Sequence, residues 1–275
     1  MKKTLIAMAA VAVAGVASAQ VTISGVAAVS YQQAVGGVVG FDRTDANLNF
    51  AATEDLGGGL TASASMSFDL GTRQSTALAT TNSAVSLSGG FGTVAYSNVA
   101  AGSSRLSGGE SLATSINAAM GGDTMVSQVK YTLPTLVDGL TLAIDATDGT
   151  RVVGATPITY TVGYKTGPVS VTYDQRDSDK RQRVLVSFDA GVAMISASSD
   201  INADDENEFA ITAPMGGATV GMHWFDEGNN SGTAVAASYA LSKRTSLTIS
   251  YANLKNPTDA TYNGNTSRIR LGHTF

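Results

Sequence analysis

SRIRLGHTF, residues 267–275, sets Arg268 and Arg270 on one side of an extended chain and Ile269 and Leu271 on the other, and it stops on Phe275. Successive residues of a strand point to opposite faces, so this segment has one face suited to water and one suited to an apolar surrounding. Chain ends normally fray into solvent. A terminal aromatic on an amphipathic strand instead suggests an anchored end, and what the apolar face touches decides the fold.

The same alternation recurs along the chain. In LTASASMSF, residues 60–68, Leu60, Ala62, Ala64, Met66 and Phe68 oppose Thr61, Ser63, Ser65 and Ser67. LTLAIDAT (140–147), ITYTVGYK (158–165), RQRVLVSF (181–188), TAVAASYAL (233–241) and SLTISY (246–251) repeat it. Period two over short segments is the signature of strands with unlike faces. Short turns such as EDLGGG, GGFG, TGP and PMGG alternate with longer polar connections such as GTRQSTALATTN, EGNNSG and NLKNPTDATYNGN, the longest lying between Ala101 and Asp123. Short connections at one end and long ones at the other outline an up-and-down barrel of the outer-membrane type. The pattern predicts an all-β, antiparallel barrel of sixteen strands, the first at 20–31, the second at 43–54, the fourth at 83–89 and the last at 265–275. Membrane strands of about ten residues leave connections of ordinary length for sixteen strands. Eight strands would leave far too much chain unpaired.

The first residues suggest the compartment. MKKTLIAMAAVAVAGVASAQ has basic Lys2 and Lys3, an apolar stretch from Leu5 to Ala17 and the small-residue site Ala17-Ser18-Ala19. This is the pattern of a secretory signal peptide, predicting cleavage after residue 19 and a single barrel domain over 20–275. Removing the two signal lysines from 17 basic side chains leaves 15 against 22 acidic, a net charge of −7. That balance argues against a nucleic-acid partner, which needs clustered Lys and Arg in excess. With no cysteine there is neither a disulfide framework nor a thiolate metal site. No run of 18 apolar residues follows the signal, so a helical span is not expected.

A water-soluble sandwich would also alternate, and the parity of charge separates the two. Arg43, Asp45, Asp69, Lys130, Asp145, Lys165, Asp174, Arg176, Arg181, Arg183, Arg268 and Arg270 all fall on the polar parity of their predicted strands. Arg or Lys facing lipid at mid-depth costs about 2–4 kcal/mol, and a one-residue slip would turn the whole set outward. Tyr31, Tyr131, Tyr160, Tyr164, Trp224, Tyr239 and Tyr251 fall on the apolar parity, many near strand ends where aromatic girdles belong.

At FAATEDLGGGLTASASMSFDLG (50–71) and AVSLSGGFGTVAYSN (84–98) the chain resembles the general diffusion porins of Gram-negative outer membranes, which carry a T-E-D-L-G-x-G-L turn after the second strand and an L-S-G-G-F-G-T-V turn after the fourth. The signal, the first strand and the terminal Phe275 match as well. The resemblance implies a sixteen-stranded barrel assembled as a homotrimer in the outer membrane, with a water-filled lumen that passes small hydrophilic solutes and ions. It also implies a third long loop folded inward, with carboxylates facing a basic wall. AGSSRLSGGESLATSINAAMGGD (101–123) stands in that loop's place and offers only Glu110 and Asp123. Arg43 matches a position where the family keeps basic residues. Lys130, Arg181, Arg183, Arg268 and Arg270 are further lumen candidates by parity.

Other chemistry is thinly supported. ADDENE supplies Asp204, Asp205, Glu206 and Glu208, a weak candidate for a divalent cation that reads more readily as a solvated loop. His223 and His273 have no sequence partners at ligand or catalytic spacing. No nucleophile elbow or phosphate loop is present, so neither an enzyme nor a cofactor is expected. A substrate-specific channel would need an aromatic ladder in the lumen, for which Phe225 alone is too little. A plugged structural or adhesive barrel would need bulky apolar side chains on the inner parity, where Ser, Thr and Gly dominate.

Overall fold

The computed structural model describes residues 20–33, 35, 39–69, 79–101, 124–148, 156–202, 206–256 and 263–275. The described residues form sixteen strands. The first eight are β1 (Gln20–Gln33), β2 (Val39–Gly57), β3 (Leu60–Asp69), β4 (Ala79–Gly89), β5 (Gly92–Ala101), β6 (Thr124–Thr132), β7 (Leu140–Thr147) and β8 (Ile158–Thr166). The rest are β9 (Val169–Arg176), β10 (Gln182–Asp189), β11 (Met194–Asp200), β12 (Asn207–Met215), β13 (Ala218–Glu227), β14 (Asn230–Ala240), β15 (Thr245–Lys255) and β16 (Gly264–Thr274). Each strand pairs antiparallel with its neighbours in sequence, and β16 pairs with β1 to close the barrel. Closure leaves no unpaired edge, the only way a sheet can satisfy its backbone in hydrocarbon.

The two faces of this sheet are inverted relative to a water-soluble protein. Large apolar side chains point outward and lie open: Val85 is 58% exposed, Ile249 54% and Phe41 73%. A surface of this kind would drive aggregation in water; against acyl chains it is the stable arrangement. Inward-facing hydroxyls pair across neighbouring strands instead, as in Ser88–Thr93 at 3.0 Å, Ser196–Ser187 at 3.1 Å and Thr248–Ser238 at 2.9 Å. Near the long-loop end the Tyr31 and Phe41 rings lie 4.9 Å apart on the outer face.

The tight turns follow from their residues. Between β2 and β3, Gly57, Gly58 and Gly59 take φ of 79°, 62° and 79°, a run that only glycine adopts without strain. Asp55 closes the same turn by accepting the Gly57 N–H at 2.8 Å.

Several boundaries differ from the sequence reading, three of them at the long-loop end. β2 begins at Val39 rather than 43, because Gln33 and Val39 still pair across the β1–β2 hairpin. β4 begins at Ala79 rather than 83, because Ala79 pairs with Asp69. EGNNSG, expected as a long connection, is a two-residue turn in which Glu227 pairs with Asn230 and Gly228 supplies φ of 57°. The signal segment 1–19 and most of the 101–123 connection lie outside the described residues.

Candidate functional site

The inner wall carries charges of both signs, many of them in close pairs. On β10, Arg183 is only 7% exposed. Its Nε donates to Asp200 Oδ1 at 2.7 Å and its Nη2 to Asp200 Oδ2 at 3.2 Å, while Nη2 also reaches Glu206 Oε2 at 2.7 Å. Arg181, one step nearer the long-loop end, donates to the same two carboxylates. Backbone bonds fix the group: Asp200 N–H to Glu206 C=O at 2.9 Å, and Ile201 N–H to Gln182 C=O at 2.7 Å. Two guanidiniums and two carboxylates therefore form a locally neutral cluster bridging β10 to the β11–β12 connection. Burial pushes the Glu206 carboxyl up to about 7, against the pull of Arg183 and Arg181 and with a further push from Asp200 and Glu227.

On the β16 side, Arg270 binds Asp45 through Nε at 3.0 Å and Nη2 at 2.6 Å, across the intervening β1. Arg268 faces Gln32 and Ser250 in register. Arg43 lies where β2 carries an irregularity: Asp45 pairs with Ala28 and Arg43 with Val29, leaving Thr44 as an extra residue. Strict alternation stops at a bulge, so parity alone does not assign Arg43 to the lumen. It borders a small recess with Ala27, Val29, Leu271 and His273.

Lys130 on β6 stands opposite Asp145 on β7. With Thr159, Thr161, Asp174 and Arg176 they line a recess of about 420 Å³ on the inner wall. Across the barrel the wall is drier. Phe225, Ala234, Ala236, Ala252 and Leu254 form a buried inner cluster with Val35 against it. Beside it the wholly buried His223 meets Glu208, Nε2 to Oε2 at 3.1 Å.

Glu206 and Glu208 are therefore not part of a solvated acidic loop; each is 2% exposed, because β10 and β13 bring them basic partners. Among the described residues no group of three His, Asp or Glu could hold a metal. Asp204 and Asp205, like Glu110 and Asp123, lie outside the described residues. His223 has a partner after all, visible only once β12 and β13 are set in register. His273 Nδ1 pairs with Thr245 Oγ1 at 2.9 Å.

A closed barrel with an apolar outer belt and hydroxyls and paired charges within is a membrane channel of the β-barrel class. Comparison with known proteins agrees. Residues 5–259 match the Gram-negative porin family, and the chain belongs to that family. A triple mutant of Rhodopseudomonas blastica porin superposes with a TM-score of 0.69 at 10% identity, covering 93% of this chain and 100% of its own. An anion-selective porin from Comamonas acidovorans gives a TM-score of 0.66 at 19% identity, covering 94% and 100%. No curated protein matches the chain in sequence. The protein is a multi-pass β-barrel of the Gram-negative outer membrane that forms a channel for passive diffusion of small hydrophilic solutes and ions.

Proposed function

We propose that the mature chain, starting at Gln20, works as a homotrimer of weakly selective diffusion pores, with Lys130, Arg181, Arg183, Arg268 and Arg270 lining the lumen. The observation that carries weak selectivity is the compensation of lumen arginines by carboxylates: Asp200 and Glu206 for Arg181 and Arg183, Asp45 for Arg270. Rings of one sign make a pore selective; neighbouring charges of both signs cancel beyond about a Debye length, ~10 Å at ordinary salt. Transport then needs no energy source, cofactor or catalytic step. Solute moves down its gradient.

Support for the trimer comes from the outer face of β1–β5. Ala52, Ala62 and Ala64 are small side chains there, and Ala52 and Ala64 help line an apolar recess of about 580 Å³ bordered by Val21, Phe50, Met66 and Val85. Such a surface takes a neighbouring barrel or acyl chains. The test is reconstitution in a planar bilayer under a salt gradient. Openings in groups of three with a reversal potential near zero are expected, and Ala62→Arg should dissociate the trimer on a non-denaturing gel. Single-step openings and an unchanged gel would remove the trimer, and a strongly displaced reversal potential would remove the weak selectivity. Mass spectrometry of the exported chain reads its first residue.

A further inference from the structure

We propose that the recess on the inner wall of β6–β10 retains zwitterionic solutes, that is α-amino acids and short peptides bearing both a free ammonium and a free carboxylate. This rests on the open lumen argued above. Register sets the geometry. Lys130, Asp145, Thr159 and Arg176 stand in one row across β6, β7, β8 and β9, and Thr161 and Asp174 stand in the next. Strands lie about 4.8 Å apart, so the backbone at Asp145 is ~5 Å from Lys130 and ~10 Å from Arg176. Asp174 and Arg176 share one face of β9 at a separation of ~7 Å.

Arg181 and Arg183 border the same recess, but they differ from its other charged groups in what they have left to offer. Arg181 and Arg183 spend their donors on Asp200 and Glu206. Lys130 and Asp145, although opposite in register, form no ion pair among the described residues. Among the described residues Asp174 accepts one side-chain hydrogen bond, from Thr161 Oγ1 at 2.6 Å to Oδ1, leaving its second oxygen available. Arg176 holds Asp179 at 2.9 Å, a pair 33% and 46% exposed and thus readily exchanged for another carboxylate.

Both signs are present, and hydroxyls lie between them. A simple anion in the recess meets Asp145 and Asp174. A simple cation meets Lys130 and Arg176. A sugar needs neither sign. A zwitterion satisfies all four, its ammonium on the aspartates and threonine hydroxyls and its carboxylate on Arg176 or Lys130. Each added residue lengthens an extended peptide by about 3.6 Å, so one to a few residues span the distance between the acidic and basic groups.

The test uses diglycine as the probe on the full mature channel in a planar bilayer. Uncharged N-acetylglycinamide, anionic N-acetylglycine and cationic glycinamide serve as comparisons. A saturable fall of open-channel current with diglycine alone is expected, shifted roughly tenfold in concentration by Asp145→Asn and by Arg176→Gln. A diglycine response no different from the uncharged amide, or matched by either singly charged probe, overturns the proposal. Saturation-transfer NMR on the detergent-solubilised barrel reads the recess without conduction. Transfer to diglycine from a barrel silent in bilayers would keep the site and reject the open pore. A conducting barrel with no transfer would reject the site alone.

Discussion

The Phe275 ring lies over the backbone of Gly25, and the two residues exchange N–H···O bonds of 3.1 Å in both directions. A Cβ at Gly25 would run into the ring, and it would also stand 2.6 Å from the Asn47 carbonyl. Glycine is required here by close approach, and the contact locks Phe275 to the first strand. Gly25→Val should destabilise the barrel by ~1–3 kcal/mol, the usual cost of overpacking. The check is the temperature at which the folded band converts to the unfolded one on electrophoresis. Phe275→Ala in the same chain should recover part of the loss.

Gly232 plays the matching part inside the lumen. A side chain there would strike the Phe225 ring and approach Leu254 Cδ2 to 2.9 Å. Gly232→Ala should lower the urea midpoint by itself. Combined with Phe225→Leu it should cost less than the two changes summed, since neighbours in contact are not additive.

The arginine cluster predicts a large effect from a single removal. Arg183→Ala leaves Asp200, whose side chain is wholly buried, with Arg181 alone among the described residues. Breaking a buried pair from one side costs about 3–5 kcal/mol. Unfolding in denaturant should therefore register Arg183→Ala far more strongly than Arg176→Ala, whose partner Asp179 is 46% exposed.

Ion preference should depend on pH through Glu206. Its carboxyl is raised from 4.5 to about 7, with burial the leading cause. As pH falls through about 7 it takes up a proton, the cluster gains one positive charge, and the reversal potential should move toward anions. Glu206→Gln should hold the anion-leaning value across the range. For stability the sign is opposite to that of an ordinary ion-paired acid: the fold holds this proton more tightly than the unfolded chain, so its contribution declines as pH rises from 4.5 through about 7.

Asp45→Asn offers a second charge test at a distance from the first. It removes the carboxylate that Arg270 holds through two donors. The reversal potential should again shift toward anions, and the shift should shrink in high salt, because partly exposed charges are screened.

The barrel was legible because its two surroundings write a strict period-two code. An outward lysine at mid-depth is expensive, so LTASASMSF and SRIRLGHTF could each be assigned a face from their own residues. Closure by β16 on β1 followed from the same reasoning. What alternation cannot express is an extra residue. Thr44 interrupts the phase of β2, so Arg43, at inward parity by counting, ends up opposite the outward Val29. Partnerships across strands were hidden for a different reason. Arg183 and Asp200 become neighbours only when β10 and β11 are aligned residue by residue, and a one-residue change of register would separate them. The Glu208–His223 pair depended likewise on the β12–β13 register. EGNNSG looked like a loop by composition, yet its polar residues continue the ladder at the water-facing end of two strands.

Closure by the final strand also sets the order of assembly. Val26 pairs with Thr274 and Gln33 with Ser267, more than 230 positions apart, so β1 keeps one edge bare until β16 has been exported. During that interval the chain carries two adhesive rims and an unsheltered apolar belt, which invite pairing with other copies as readily as with each other. Biogenesis is thus a race between ring closure and polymerisation, with a slow, high-contact-order step at its end. An escort that shields the two rims during passage to the outer membrane would favour closure, and a chain shortened by its last strand would be left with no way to finish the ring.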